Sequence, residues 1–210
     1  QGGAEDAAEI KIMDWRTHQR QLLPVIATTY AIHYCGAALR AMHRRLTAGD
    51  YSILGSLHIT VCSVKMMVTS MAASCMERCR LLCGGHGYSL SSGIPERWAT
   101  FVHTCTAEGD NVVMSLQVGK GMLKMMRDSG ESTAGGDVDQ CPGTCAADFK
   151  DHQVLLQCLQ HRAMRLARQL ARSQNARLDA GMSPHDTWNA DLILANRTGT
   201  AQAEAMMVEL

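Results

Sequence analysis

Apolar residues recur at three- and four-residue steps through most of the chain, the spacing of one face of an α-helix. Leu22, Leu23, Ile26, Tyr30, Tyr34, Ala38 and Met42 predict a first long helix over about Trp15 to Leu46, with Pro24 in its opening turns setting a start or a kink. Thr47-Ala48-Gly49-Asp50 interrupts the pattern, and Leu54, Leu57, Val61, Val64, Met67, Val68 and Met71 carry a second helix over about Tyr51 to Leu82. Cys83 to Pro95 holds Gly84, Gly85, Gly87, Gly93 and Pro95, too many breakers for a helix, and reads as a loop, structured or flexible. A third helix follows over about Asp110 to Met126 through Val113, Leu116, Gln117, Met122 and Leu123, capped near Asp110 and Asn111. Beyond a Gly-, Asp-, Ser- and Thr-rich stretch at 128–147, the natural place for a linker, come a helix over about Phe149 to Leu178 and a last one over about His185 to Leu210, opened by Ser183-Pro184. The expected fold class is all-α.

Composition agrees with that pattern and narrows the function classes. Only 4% of the 210 residues are aromatic, while helix-forming Ala, Leu, Met, Gln and Arg abound. Twenty basic and twenty acidic residues give no net charge, so no long-range field draws in nucleic acid or an anionic membrane. Arg162, Arg165, Arg168, Arg172 and Arg177 alternate with Leu155, Leu159, Leu166 and Leu170, which marks a solvated helix face rather than an RNA-binding surface. No uninterrupted apolar run approaches the ~20 residues of a membrane span, so a soluble protein is expected. Gln1 to Glu9 lack the layout of a secretion or transit signal.

Nine cysteines, an odd number with five of them inside predicted helices, point to reduced thiols rather than a disulfide framework. Cys75, Cys79 and Cys83 share one helical face but lack a fourth ligand for zinc, and Cys141 and Cys145 bracket Pro142-Gly143 with no paired Cys/His cluster in the sequence around them.

Two segments stand out as candidate chemistry: Cys83-Gly84-Gly85-His86-Gly87-Tyr88 and Cys105-Thr106-Ala107-Glu108-Gly109-Asp110-Asn111. Glycines let a backbone approach a ligand closely, and free N–H groups at a helix start receive phosphate or carbonyl oxygens. Taken alone, a glycine-rich helix connection is a weak signal, and Glu108 by itself reads more readily as a helix-capping residue beside Asp110 than as a base.

In combination these two segments, with Ser92-Gly93-Ile94-Pro95 between them and Gln117 beyond, resemble the acyl-CoA oxidase branch of the acyl-CoA dehydrogenase superfamily. Upstream, Met13-Asp14-Trp15-Arg16-Thr17-His18-Gln19 and Leu23-Pro24 are similar to the helix that leads into this region; downstream, Trp188-Asn189 and Asp191-Leu192 are similar to the oxidases' second C-terminal helical domain. The resemblance implies an antiparallel bundle over residues 10–127 that contacts FAD, a linker at 128–147 and part of a second helical unit at 148–210. It implies that Glu108 is the base that removes the α-proton of an acyl-CoA substrate while the flavin takes a hydride from the β-carbon. It assigns Gly84, Gly85 and Gly87 to the FAD of a neighbouring subunit in a homodimer, and Asn111 and Gln117 to the vicinity of the nucleotide, with His86 a spacer. Such a base works from a dry pocket in which desolvation raises its pKa.

The same resemblance implies an N-terminal helical domain and a β domain that these residues do not contain, supplied by more of the same protein or by a partner chain. The rival expectation is a non-catalytic helical subunit of a larger assembly, for which Thr198-Gly199, standing where the family usually has Ala-His, is an argument. A large exposed apolar face is expected where the missing parts pack. Family resemblance points to the peroxisome, although Val208-Glu209-Leu210 is not a Ser-Lys-Leu-like signal.

Overall fold

The computed structural model describes residues 10–130 and 141–210; the part of the expected linker at 131–140 lies outside them. Seven α-helices, and no strand, occur among the described residues: α1 (Arg16–Thr47), α2 (Leu54–Leu82), α3 (Ile94–Val102), α4 (Asn111–Asp128), α5 (His152–Asp179), α6 (Pro184–Ala190) and α7 (Leu192–Glu209). The fold is all-α, as the apolar spacing requires. Asp110 and Asp151 accept the Val112 and Gln153 N–H groups at the starts of α4 and α5, and Ser183 caps α6 ahead of Pro184.

Four expectations need correction. α1 starts at Arg16, so Pro24 sits in its third turn and does not set its start. The stretch read as a loop ends earlier than expected, because Ile94 and Pro95 open α3; Pro at the first turn costs no hydrogen bond there and presets the helical φ. The last helix is two, since the chain bends at Asp191, whose buried carboxylate accepts from Ser173 Oγ at 2.9 Å and lies 3.5 Å from Arg177 Nε. By length and apolar content alone, α1 and the segment Tyr51–Leu82 would also suffice to cross a bilayer, contrary to the first reading. One third of the apolar window in the second is already buried inside the bundle.

α7 is the hub. It packs on α4, α5 and α2, and Ala195, Thr198, Gly199, Ala201, Ala203 and Ala205 are all buried along it. Its small residues permit crossings too close for ordinary side chains. A Cβ on Gly199 would overlap the Ser115 carbonyl oxygen, and one on Gly119 of α4 would come to 2.7 Å from the Ala195 carbonyl oxygen. Asn196 Nδ2 donates to Ser115 Oγ at 2.7 Å across the same crossing. Met122, Met126, Ala163, Ala167 and Ala201 form the core between α4, α5 and α7, and Ile59, Cys62 and Val118 form a second one between α2 and α4.

Thr198-Gly199 is therefore buried where α7 crosses α4 at close range. Gly199→Ala would gain about 1 kcal/mol of helix propensity. The Cβ meets backbone, which cannot step aside, so separating α4 from α7 should outweigh that gain and cost a net 1–3 kcal/mol, roughly. A lowered denaturant midpoint is the expected reading, and an unchanged or raised one would contradict this crossing.

α1 contributes the unpartnered surface. Of its 32 residues only Cys35 is buried, its sulfur 3.5 Å from Met207 Sδ, while Leu23, Ile26, Tyr30 and Tyr34 are half-exposed or more. The exposed apolar face expected from the sequence is here.

Candidate active site

Glu108 lies in the turn between Cys105 and α4 with φ 56°, the one non-glycine residue at positive φ among the described residues; Gly109 follows at 106°. A left-handed backbone costs an L-residue about 1–2 kcal/mol and persists only where the surroundings enforce it. Here the enforcement comes from α2. The Lys65 ammonium donates to the Gly109 carbonyl, to Cys105 O at 3.4 Å and to Asn111 Oδ1 at 2.8 Å.

Asn111 completes the clamp at the first turn of α4. Its amide nitrogen donates to Ser70 Oγ at 2.8 Å, Thr69 Oγ1 at 3.0 Å and Met66 O at 3.2 Å. The turn is thus tied to α2 from both sides, and Glu108 is carried on its outer edge. The Glu108 side chain is exposed and makes no hydrogen bond among the described residues. The dry pocket that its proposed chemistry requires is not formed by these residues alone.

The other site candidates fall in different places. The Asn111 amide is occupied within the chain on both its oxygen and its nitrogen, so its evident work is to position the turn. Gln117 is half-buried, with no hydrogen bond among the described residues. Six positions after Asn111, it lies about 120° around α4. Gly84 (φ 56°) and Gly85 are exposed, with open space where a Cβ would stand; Gly87 is buried, and a Cβ there would overlap the Arg80 carbonyl oxygen. Gly84 and Gly85 leave their backbone accessible, whereas Gly87 is needed to bring the chain back against α2. His86 is exposed.

Beside this turn an open groove of about 800 Å³ runs past Tyr88, Leu90, Pro95 and Trp98. Arg80 also lines it, paired with Glu77 at 2.6 Å and placed 6.0 Å from the Trp98 ring centre.

The structure does not bring the glycine turn and Glu108 together. Asn111 is anchored at Ser70, and the glycine turn begins at Gly84, just past the end of α2 at Leu82, which lies twelve positions beyond Ser70 and hence roughly 18 Å along the helix at a rise of about 1.5 Å per residue. The two candidate motifs lie at separate places along α2.

Lys65, Thr69 and Ser70 are the site residues that sequence reasoning missed. The signal was available: Lys65 is the lone charge between His58 and Glu77 in a run otherwise apolar, small or hydroxylic, which an amphipathic surface helix does not explain. No cluster of three or more His, Cys, Asp or Glu suited to a metal occurs among the described residues, and all nine cysteines are free. Cys75 and Cys79 are half-buried and Cys83 is exposed; burial, then the charges of its two neighbours on that face, pushes the Cys79 thiol up.

Residues 1–123, more than half of the chain, match the model of the family described as "Acyl-CoA oxidase, C-alpha1 domain". The chain belongs to the acyl-CoA oxidase family. It is 32% identical over 222 aligned positions to peroxisomal acyl-coenzyme A oxidase 1 of Phascolarctos cinereus, covering 96% of this chain and 33% of that protein. Against the Mus musculus peroxisomal acyl-coenzyme A oxidase 1 the identity is 41% over 121 residues, 56% of this chain and 18% of the relative. Among solved structures, acyl-CoA oxidase-1 of Caenorhabditis elegans complexed with FAD and ATP superposes with a TM-score of 0.83 at 27% identity, covering all of this chain and 34% of that one. Arabidopsis thaliana acyl-CoA oxidase 1 gives 0.79 at 29%, covering all of this chain and 33% of the other. The chain spans about a third of the length of the oxidases it matches.

Proposed function

We propose that this chain is the α-helical part of an FAD-dependent acyl-CoA oxidase, converting acyl-CoA to trans-2-enoyl-CoA and passing the electrons to oxygen. The observation that carries the proposal is Glu108: the glutamate singled out by its motif is also the one non-glycine residue among those described that is held at positive φ, by a lysine and an asparagine committed to that turn. Backbone strain maintained around a solvent-facing carboxylate with no internal partner is what a presented base looks like.

In this reading Glu108 takes the α-proton of the thioester, Lys65 and Asn111 hold its turn against α2, and Gly84 and Gly85 let a dinucleotide approach the backbone. Gln117 has an unoccupied amide to offer the same ligand. Bound FAD supplies the hydride acceptor and the route for electrons to oxygen. The separation of the glycine turn from Glu108 fits a dimer in which each chain serves one half of two sites. The exposed face of α1, and the water around Glu108, mark where the remaining two-thirds of an oxidase pack, whether from further residues of this protein or from a partner chain. Residues 10–127 are then the flavin-facing unit, 128–147 the linker and 148–210 a second unit whose α7 inserts between the helices of the first. The peroxisomal names of the relatives support a peroxisomal place for this one.

The second reading, a non-catalytic helical subunit, draws on the exposure of Glu108. The assembly purified from its native source decides between them. A yellow protein that releases hydrogen peroxide when given acyl-CoA is the expected result; a colourless assembly, silent towards acyl-CoA, would leave the structural role.

A further inference from the structure

The turn that leads into α5 brings together two thiols that lie 17 positions apart in the sequence. Cys141 is exposed, Cys158 is half-buried in the second turn of α5, and their sulfurs are 3.5 Å apart with the Cys141 thiol donating. Several contacts place them so. The Asp148 carboxylate accepts the Thr144 N–H at 2.7 Å and the Cys145 N–H at 2.9 Å, and these backbone donors hold its carboxyl down to about 2, so the grip persists across the physiological range. Asp151 caps α5 immediately after. Gly143 then passes so close that its N–H lies 3.2 Å from Cys158 Sγ, and a Cβ on it would stand 3.0 Å from the Phe149 ring and 3.1 Å from that sulfur. Cys145, in the same turn, directs its thiol to Asp148 rather than to Cys158.

We propose that Cys141 and Cys158 are a modification site: an intrachain disulfide that forms when the protein meets hydrogen peroxide. Burial pushes the Cys158 thiol up, against the opposing effect of the Gly143 N–H, so the exposed Cys141 reacts first. Its thiolate attacks one peroxide oxygen, the O–O bond breaks, and hydroxide leaves to give a sulfenic acid. The Cys158 sulfur then attacks the sulfenic sulfur; the S–S bond forms, the S–O bond breaks, and the oxygen departs as water with the proton from Cys158. In sum two thiols lose two electrons and two protons, and one peroxide becomes two waters. A disulfide is about 2.05 Å long, so the sulfurs must close by about 1.5 Å, within the reach of the exposed Cys141 side chain.

The pairing stands on this geometry alone. Only the local source of oxidant rests on the oxidase reading, because two-electron reduction of oxygen there would release peroxide at the protein itself. The reaction joins the chain entering α5 to the helix it precedes.

The test treats the purified, fully reduced protein with a small molar excess of hydrogen peroxide, alkylates the remaining thiols and maps peptides by mass spectrometry. The expected result is a loss of about 2 Da, a Cys141–Cys158 linked peptide, and protection of both residues from alkylation. Cys158→Ser should abolish the link and leave Cys141 as a sulfenic acid captured by a dimedone-type reagent, whereas Cys145→Ser should keep the link. Full alkylation of both thiols after peroxide, a link through Cys145, or a link only between chains would overturn the proposal. Because reagent peroxide is used, a protein without flavin or turnover gives the same answer, and the two readings fail separately.

Discussion

In the flavin-loaded assembly, Glu108→Gln should lower turnover of acyl-CoA about a thousandfold while the yellow colour remains. A positioned general base contributes roughly 10²–10⁴ in rate, and glutamine keeps the length and shape of the side chain but cannot take a proton. Glu108 has no hydrogen bond among the described residues, so the substitution leaves no partner orphaned and the turn should keep its form. Glu108→Gly sharpens the result. Glycine tolerates φ near 56° without penalty, so the turn relaxes by about 1 kcal/mol, partly offset by the greater freedom of the unfolded chain. Loss of turnover together with unchanged or higher thermal stability is the mark of a residue kept under strain for its chemistry. Turnover of Glu108→Gln within a few-fold of the parent would remove Glu108 from the mechanism and leave it an unexplained strained residue.

How much of this was legible in the sequence differs between the fold and the site. The long helices could be read because their apolar positions repeat over seven to nine turns. α3 could not, since nine residues give little periodicity and the glycines before Ile94 dominate the window. α7 shows why composition misleads: Ala, Gly and Thr on several sides look unremarkable, yet such small residues let one helix sit among three neighbours. Thr198-Gly199 looked like drift from the family and is where α7 meets α4 too closely for a side chain. At the site, Glu108 and the glycine turn were visible as motifs because their chemistry is local. Their separation along α2 was not, because it depends on Asn111 docking at Met66, Thr69 and Ser70, a tertiary contact with no local signature. The same contact changes the meaning of Asn111. As a polar residue near the nucleotide it was a ligand candidate; with its amide occupied by α2 it holds the turn that holds Glu108.

That dependence gives the second large effect. Lys65→Met keeps the aliphatic stem and removes the ammonium, so the carbonyls of Gly109 and Cys105 lose their shared donor while Asn111 Oδ1 retains only Thr69 at 3.2 Å. Hydrogen bonds from a charged donor contribute about 1.5–3 kcal/mol each when partly buried, and water reaching the turn recovers part of this, so a net loss of about 2–3 kcal/mol is expected. For a domain of this size that lowers the melting temperature by roughly 4–10 °C. Stability alone would not show that Lys65 serves the reaction; kinetics would. If Lys65 positions the base, kcat should fall at least tenfold with KM and flavin content close to those of the parent, because a displaced carboxylate is felt when the proton moves rather than when acyl-CoA binds. Lys65→Arg, which can still donate to several carbonyls, should recover part of kcat. A protein that melts early yet turns over at the parent rate below its transition would reduce Lys65 to a bundle strut, and the strain at Glu108 would then need another keeper.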